Sequence, residues 1–152
     1  MSRRIAAQLP DSLLNVLRTG STALLVTLGE DGFPNTAFTW VLAVTATTIR
    51  FGADHGSATL SNLEREGRAS LQIIGEGNLI FLIKGTTRQI KPQIEAAPFK
   101  IAMLAMEVAM VKDQSWPGVN IHHLRYEWSP EQRQEMLAME RAVYAEMREW
   151  QV

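Results

Sequence analysis

Phe51-Gly52-Ala53-Asp54-His55-Gly56-Ser57-Ala58-Thr59-Leu60-Ser61-Asn62-Leu63 reads as the end of a strand, a glycine-bearing loop and the first turns of a helix. Gly52 and Gly56 can take backbone angles closed to other residues, so the chain can bend sharply here and leave N–H groups exposed. Ser57, Thr59 and Ser61 put three hydroxyls next to that bend. A helix start carries unpaired N–H groups and a partial positive charge, which favour an anion such as a phosphate. Two readings stand side by side: the loop holds the phosphate of a nucleotide, or Ser57 simply caps the helix.

Working back from this stretch, the chain spells a meander. Residues 10–19 form a short helix with Pro10 in its first turn, Leu13, Leu14 and Leu17 on one face, and Gly20 to stop it. Residues 22–28 are apolar and β-branched, as in a strand. The turn Gly29-Glu-Asp-Gly-Phe-Pro34 leads to a second strand over 35–44, with Phe38, Trp40 and Leu42 on one side. Residues 45–48 reverse the chain into a third strand, 49–51. The spacings are too short for parallel crossovers, so these strands should lie antiparallel.

Working forward, residues 57–66 continue as a helix with Leu60 and Leu63 inside and Gly67 at its end. Residues 68–74 alternate as a fourth strand, and 79–83 are wholly apolar, as in a buried one that resumes over 85–90 after a bulge. Residues 101–112 combine helix-favouring Ala and Met with an indistinct alternation; Val108, Met110 and Val111, and the need to close the sheet, favour a strand. Residues 119–128 read as a last strand. Ser129-Pro-Glu-Gln132 reads as a capping box ahead of a long helix whose stripe is Met136, Met139, Val143, Met147 and Trp150. The expectation is a mostly β fold: a small six- to seven-stranded antiparallel β-barrel with flanking helices and a long C-terminal helix.

Bulk properties bound the function. The 152 residues fit a single domain, 1–152, and 46% hydrophobic content allows a real core. A net charge of −1 gives no reason to expect nucleic acid or an anionic membrane as partner. No apolar run reaches the length of a membrane span or a signal peptide. The absence of cysteine removes disulfides, thiolate metal sites and cysteine nucleophiles, and fits a cytoplasmic protein. His122 and His123 are adjacent, so on a strand they point to opposite faces, and no metal site is expected. His55 reads as an exposed loop histidine. No hydrolase triad, carboxylate pair or P-loop is present, and no catalytic residue is named.

The residues from Thr22 to Ile74 resemble the flavin-nucleotide-binding split barrel of the pyridoxamine 5'-phosphate oxidase-like superfamily. The resemblance is carried by Ala23-Leu-Leu-Val-Thr-Leu-Gly-Glu-Asp-Gly-Phe-Pro34, the hairpin into Ile49-Arg-Phe51, Ser57-Ala-Thr-Leu-Ser-Asn-Leu63, Gly67-Arg-Ala-Ser-Leu-Gln72 and Gly85-Thr-Thr-Arg-Gln-Ile90. It covers about the first two thirds of the chain and leaves the C-terminal helix unaccounted for. It implies a homodimer with FMN in clefts between the subunits and a small-molecule substrate. By position it implies the ring edge along Thr39, Trp40 and Val41 and along Phe51, Gly52 and Ala53. The phosphate falls on Ser57, Ala58 and Thr59, an amide from Gln72 faces the ring, and Trp116 and Arg125 reach across from the partner.

One departure is visible: Ala58 and Thr59 stand where such proteins carry a Lys or Arg that clamps the phosphate. Arg50, Arg68 and Arg88 are the candidates to compensate. In a flavin protein the ring performs the electron or hydride transfer and the protein orients and tunes it. The expected function is therefore an FMN-binding protein acting as a flavin-dependent oxidoreductase. The alternatives are a flavin-binding or flavin-sensing module without turnover, and a dimeric split barrel without nucleotide. Deazaflavin and haem are further occupants that the resemblance allows.

Overall fold

A computed structural model of the chain describes residues 5–152; residues 1–4, with the basic Arg3-Arg4, lie outside them. The elements are β1 (Ile5–Ala6), α1 (Asp11–Arg18), β2 (Ser21–Leu28), β3 (Pro34–Ala43), β4 (Thr48–Asp54), α2 (Ala58–Glu66), β5 (Arg68–Gly75), β6 (Leu79–Lys91), β7 (Ile101–Asp113) and α3 (Arg133–Glu149). Six strands run β7-β4-β3-β2-β5-β6 and close through β6–β7 pairing, every pair antiparallel. β1 adds a short seventh strand on β7, opposite Val111 and Lys112. The mostly β split barrel expected from the sequence is the fold observed. The bulge after the apolar run also appears, as a register shift between Lys84 and Gly85.

The barrel interior is filled from alternate strand positions. Ala23 and Leu25, Val41 and Ala43, Ile49 and Phe51, Leu71 and Ile73, and Leu104 and Met106 are buried there, and α1 adds Leu13, Leu14 and Leu17. A second apolar layer lies outside the wall. There Trp40, Leu42, Ile94, Ile101 and Met103 are covered by Val143 and Met147 of α3. β3 from Trp40 onward and β7 over residues 101–106 are therefore buried on both faces. Strands covered on both sides lose the apolar–polar alternation of half-buried ones. This is why 101–112 read ambiguously.

α3 is anchored at two places. Tyr144 lies flat against Gly20, whose φ is +93° and where a Cβ would come within 2.6 Å of the ring. Glu146 accepts from Lys91 Nζ at 3.0 Å and from the backbone N–H groups of Glu95 and Ala96, each at 2.9 Å. Of the expected stripe, Val143 and Met147 are buried and Met139 and Trp150 pack beside them, while Met136 stays outside the cluster.

Two expectations fail. Residues 119–128 form no strand but part of an irregular strap over 114–132. The barrel closes through β6–β7 without them, and residues 119–128 meet the sheet by one backbone–backbone bond alone, Leu124 N–H on the Ile74 carbonyl at the end of β5. Nor does Ser129 cap α3. The helix starts at Arg133 with Gln132 as N-cap and no side-chain cap bond, and residues 129–132 make a turn closed by Gln132 N–H on the Ser129 carbonyl at 3.0 Å.

Candidate functional site

The barrel wall splits between β3 and β4. Their ladder holds from Ala43–Ile49 to Val41–Phe51 and then stops, although β3 runs on to Pro34. Thr39 spans the parting strands. Its hydroxyl donates to the Gly52 carbonyl at 2.6 Å and accepts from the Gly52 N–H at 3.1 Å, taking the place of the next backbone pair. Beyond it opens a cleft of about 250 Å³. β3 lines it with Phe38, Thr39 and Trp40, β4 with Gly52, Ala53 and Asp54, and α2 with Ser57 and Thr59; Phe99, Ile101 and Tyr126 complete the wall. Gly52 fits because Ile101 leaves no room for a side chain, its methyl lying 2.8 Å from where a Cβ would be.

The start of α2 borders the cleft. Ser57 caps the helix: its Oγ accepts from Leu60 N–H at 3.1 Å and donates to the Asp54 carbonyl at 2.6 Å. Leu60 and Ser61 N–H are thereby satisfied by Ser57, and among the described residues the N–H groups of Ala58 and Thr59 are left as open donors. The Thr59 hydroxyl is itself engaged, accepting from Asn35 Nδ2 at 3.0 Å. On its far side α2 is tied to β2 by Asn62 Nδ2 on Thr27 Oγ1 and by Arg65 on the Leu28 carbonyl.

Behind the aromatic wall sits a carboxylate from α3. Glu140 Oε2 accepts from Trp40 Nε1 at 2.8 Å and from the Tyr126 hydroxyl at 2.5 Å, and Oε1 accepts from Trp128 Nε1 at 3.0 Å. Tyr126 packs edge-on against Phe38 and Trp128. Burial first, then the Glu140 hydrogen bond and charge, push the Tyr126 hydroxyl well above the usual tyrosine range, so it stays protonated. Leu124 fastens the strap, its N–H on the Ile74 carbonyl and its carbonyl accepting from Thr22 Oγ1.

The candidate residues from the sequence fall into groups. Thr39, Trp40, Gly52, Ala53, Ser57 and Thr59 come together in the cleft. Val41 and Phe51 are fully buried in the barrel core. Ala58 faces the opposite side of α2, toward a second concavity with Glu30, Asp31 and Arg65. Gln72 lies outside both concavities and donates to the Phe81 carbonyl at 3.1 Å and to Gln114 Oε1 at 2.9 Å. Trp116 is exposed on the strap, its carbonyl accepting from Asn78 Nδ2.

No Lys or Arg lines the cleft. Arg50 donates to the carbonyls of Met147 and Trp150, each at 2.7 Å, capping the end of α3; burial, and secondarily the charge of Arg88, lower its pKa. Arg68 pairs with Glu66, Arg88 is exposed on β6, and Arg125 pairs with Glu127. Among the described residues no cluster of His, Asp or Glu could hold a metal ion, and no helix is long and apolar enough to cross a membrane.

Sequence reasoning missed Asp54, Phe99, Tyr126 and Glu140. For Glu140 a signal exists. It lies four residues after Met136 and three before Val143, so a charged side chain sits among the apolar positions of α3. Nothing local marks Tyr126 or Phe99, which reach the cleft through the tertiary course of two irregular segments.

A family model described as pyridoxamine 5'-phosphate oxidase matches residues 9–128. No curated protein sequence matches the chain. Among solved structures, an F420 reductase aligns with a TM-score of 0.60 at 13% identity, over 70% of this chain and 100% of its own. HupZ of Group A Streptococcus aligns with a TM-score of 0.58 at 16% identity, over 74% of this chain and 98% of its own. At such identities these structures share the fold alone. On the family match, the chain belongs to the pyridoxamine 5'-phosphate oxidase family.

Proposed function

We propose that the cleft between β3 and β4 seats the planar ring of a flavin-type cofactor, and that the chain is a flavin-binding protein with oxidoreductase activity on a small molecule. The observation that carries this reading is the cleft itself: a split in the barrel wall with Trp40, Phe38, Phe99 and Tyr126 around it and the start of α2, with the open Thr59 N–H, at one end. Flat apolar walls with a few fixed polar groups suit a heteroaromatic ring. A bound flavin supplies the electron or hydride transfer. The chain's own part is to orient the ring, exclude water with Tyr126 and Phe99, and offer backbone donors. Membership of the family, and the likeness to a fold shared with an F420 reductase, lend support.

FMN is the form that the resemblance implies, and the cleft suits its two ends unequally. The aromatic walls fit the ring. The phosphate end has the open Thr59 N–H and a helix start but no cation, and the Ser57 hydroxyl is already committed inside the loop. This imbalance favours, as a second reading, a module that binds the ring without turnover.

The purified protein distinguishes the two. A yellow preparation that bleaches with a nicotinamide donor and recovers in air supports the oxidoreductase. One that stays yellow and inert to donors supports the module. A colourless protein whose spectrum does not change on addition of FMN or riboflavin rejects both.

A further inference from the structure

The charge in the cleft lining has one sign. Asp54 stands in its lining, and Glu140 lies directly behind Trp40 and Tyr126. The three groups that donate to Glu140 are all neutral, and no described Lys, Arg or His makes an ion pair with it. Glu146, further along the same helix, makes the contrast: it pairs with Lys91 at 3.0 Å. A carboxylate without a counter-ion behind an apolar wall projects negative potential into the cavity on the other side. Aromatic walls add to this, since their faces attract cations. The opposing feature is the start of α2, which supplies about half a unit of positive charge, against two full carboxylates.

We propose that this cleft takes an aromatic ligand that is uncharged or positively charged, gains nothing from an anionic phosphate, and owes this preference to Glu140 together with Asp54. The proposal rests on the reading that the cleft seats a planar ring. It goes further by assigning the charge class of the ligand and by giving the helix a role in the site. The family match ends at residue 128, whereas Glu140 sits on α3 beyond it. The charge preference is thus set in part by an element outside the matched region.

The test titrates the full-length protein with riboflavin, FMN and the planar cation proflavine, following ligand fluorescence. Riboflavin should bind as tightly as FMN or more tightly, and proflavine binding should weaken as salt is raised. Glu140→Gln should shift the FMN-to-riboflavin affinity ratio toward FMN by about tenfold, the effect of one unit charge across about 10 Å at an effective dielectric near 20. Asp54→Asn should shift it in the same direction. Its side chain makes no hydrogen bond or ion pair within the described residues, which keeps the test informative if Glu140→Gln fails to fold.

FMN binding about tenfold tighter than riboflavin in the native chain overturns the charge preference and leaves the ring reading standing. An unchanged ratio in both variants overturns the role of the two carboxylates. Binding of proflavine without either flavin supports the charge class and rejects the flavin reading. Binding of none of the three rejects the ring reading and this inference with it.

Discussion

Tyr126 and Tyr144 are the only tyrosines in the chain, and both hydroxyls are held well above their usual pKa, first by burial and then by Glu140. The folded state therefore keeps its protons where an unfolded chain has lost them. Stability from the neutral hydroxyls is complete below about pH 10, the ordinary tyrosine value, and falls as pH rises from there toward the folded pKa values. Tyrosinate absorbance should not rise near pH 10 in the folded protein; it should rise together with alkaline unfolding seen by circular dichroism. A titration of two tyrosines near pH 10 with the fold intact contradicts the hold that partial burial and Glu140 exert on both hydroxyls.

Gly20 makes a second prediction at this scale. Its φ of +93° and the Tyr144 ring 2.6 Å from a would-be Cβ combine backbone and steric strain in any substitution. Gly20→Ala should lower unfolding free energy by about 1–3 kcal/mol in urea denaturation. Adding Tyr144→Ala should recover part of the loss, because the ring that the methyl meets is then gone. Full additivity of the two changes would place the strain in the backbone alone.

Elements show where the sequence was legible. α1, β2 to β6 and α2 were readable because each carries its own local signal. Gly20 and Gly67 mark helix ends, β5 alternates cleanly, and Ser57 caps α2. β7 was harder, since α3 covers the face that would otherwise be polar. The strap was misread because Val, Ile, Tyr and Trp describe a segment that packs apolar groups, and such groups pack equally well without a ladder. What decides between the two is whether the segment runs alongside a sheet edge, which is a property of the folded chain and not of residues 119–128; here only Leu124 meets one, at Ile74. The cleft was half legible for the same reason. Its strand and loop residues are close in sequence, while Phe99, Tyr126 and Glu140 arrive from distant segments.

The docking of α3 is testable through Glu146, whose carboxylate joins the helix to Lys91 and to the turn after β6. Lys91 is 8% exposed, so Glu146→Ala leaves a buried ammonium unpaired along with two N–H groups. The expected loss is about 3 kcal/mol in chemical denaturation. Lys91→Met in the same background should restore much of it, since an apolar replacement of a buried pair is often close to neutral. If the double variant is no more stable than Glu146→Ala alone, the loss lies in the turn N–H groups and not in the charge.

At the scale of the whole molecule, a single chain leaves its cleft unfinished. About 250 Å³ falls below the roughly 300–1,000 Å³ of sites that enclose a small ligand. Phe38, at the mouth, is 53% exposed, and Phe99 beside it is 48% exposed. Phenylalanine side chains left in water at a cleft rim forgo part of the ~1.5–3 kcal/mol that full burial of each supplies. A second copy placed against this rim would cover them and enlarge the enclosed volume in one step, as the homodimer expected from the resemblance requires. Analytical ultracentrifugation should therefore give twice the 17.0 kDa chain mass. Phe38→Asp should shift the distribution toward monomer and weaken ring binding together, with the far-ultraviolet spectrum unchanged. Loss of binding in a variant that stays dimeric assigns Phe38 to the ligand alone. A native chain that is monomeric at tens of micromolar and still binds the ring with full affinity shows that Tyr126 and the strap close the cleft from within one subunit.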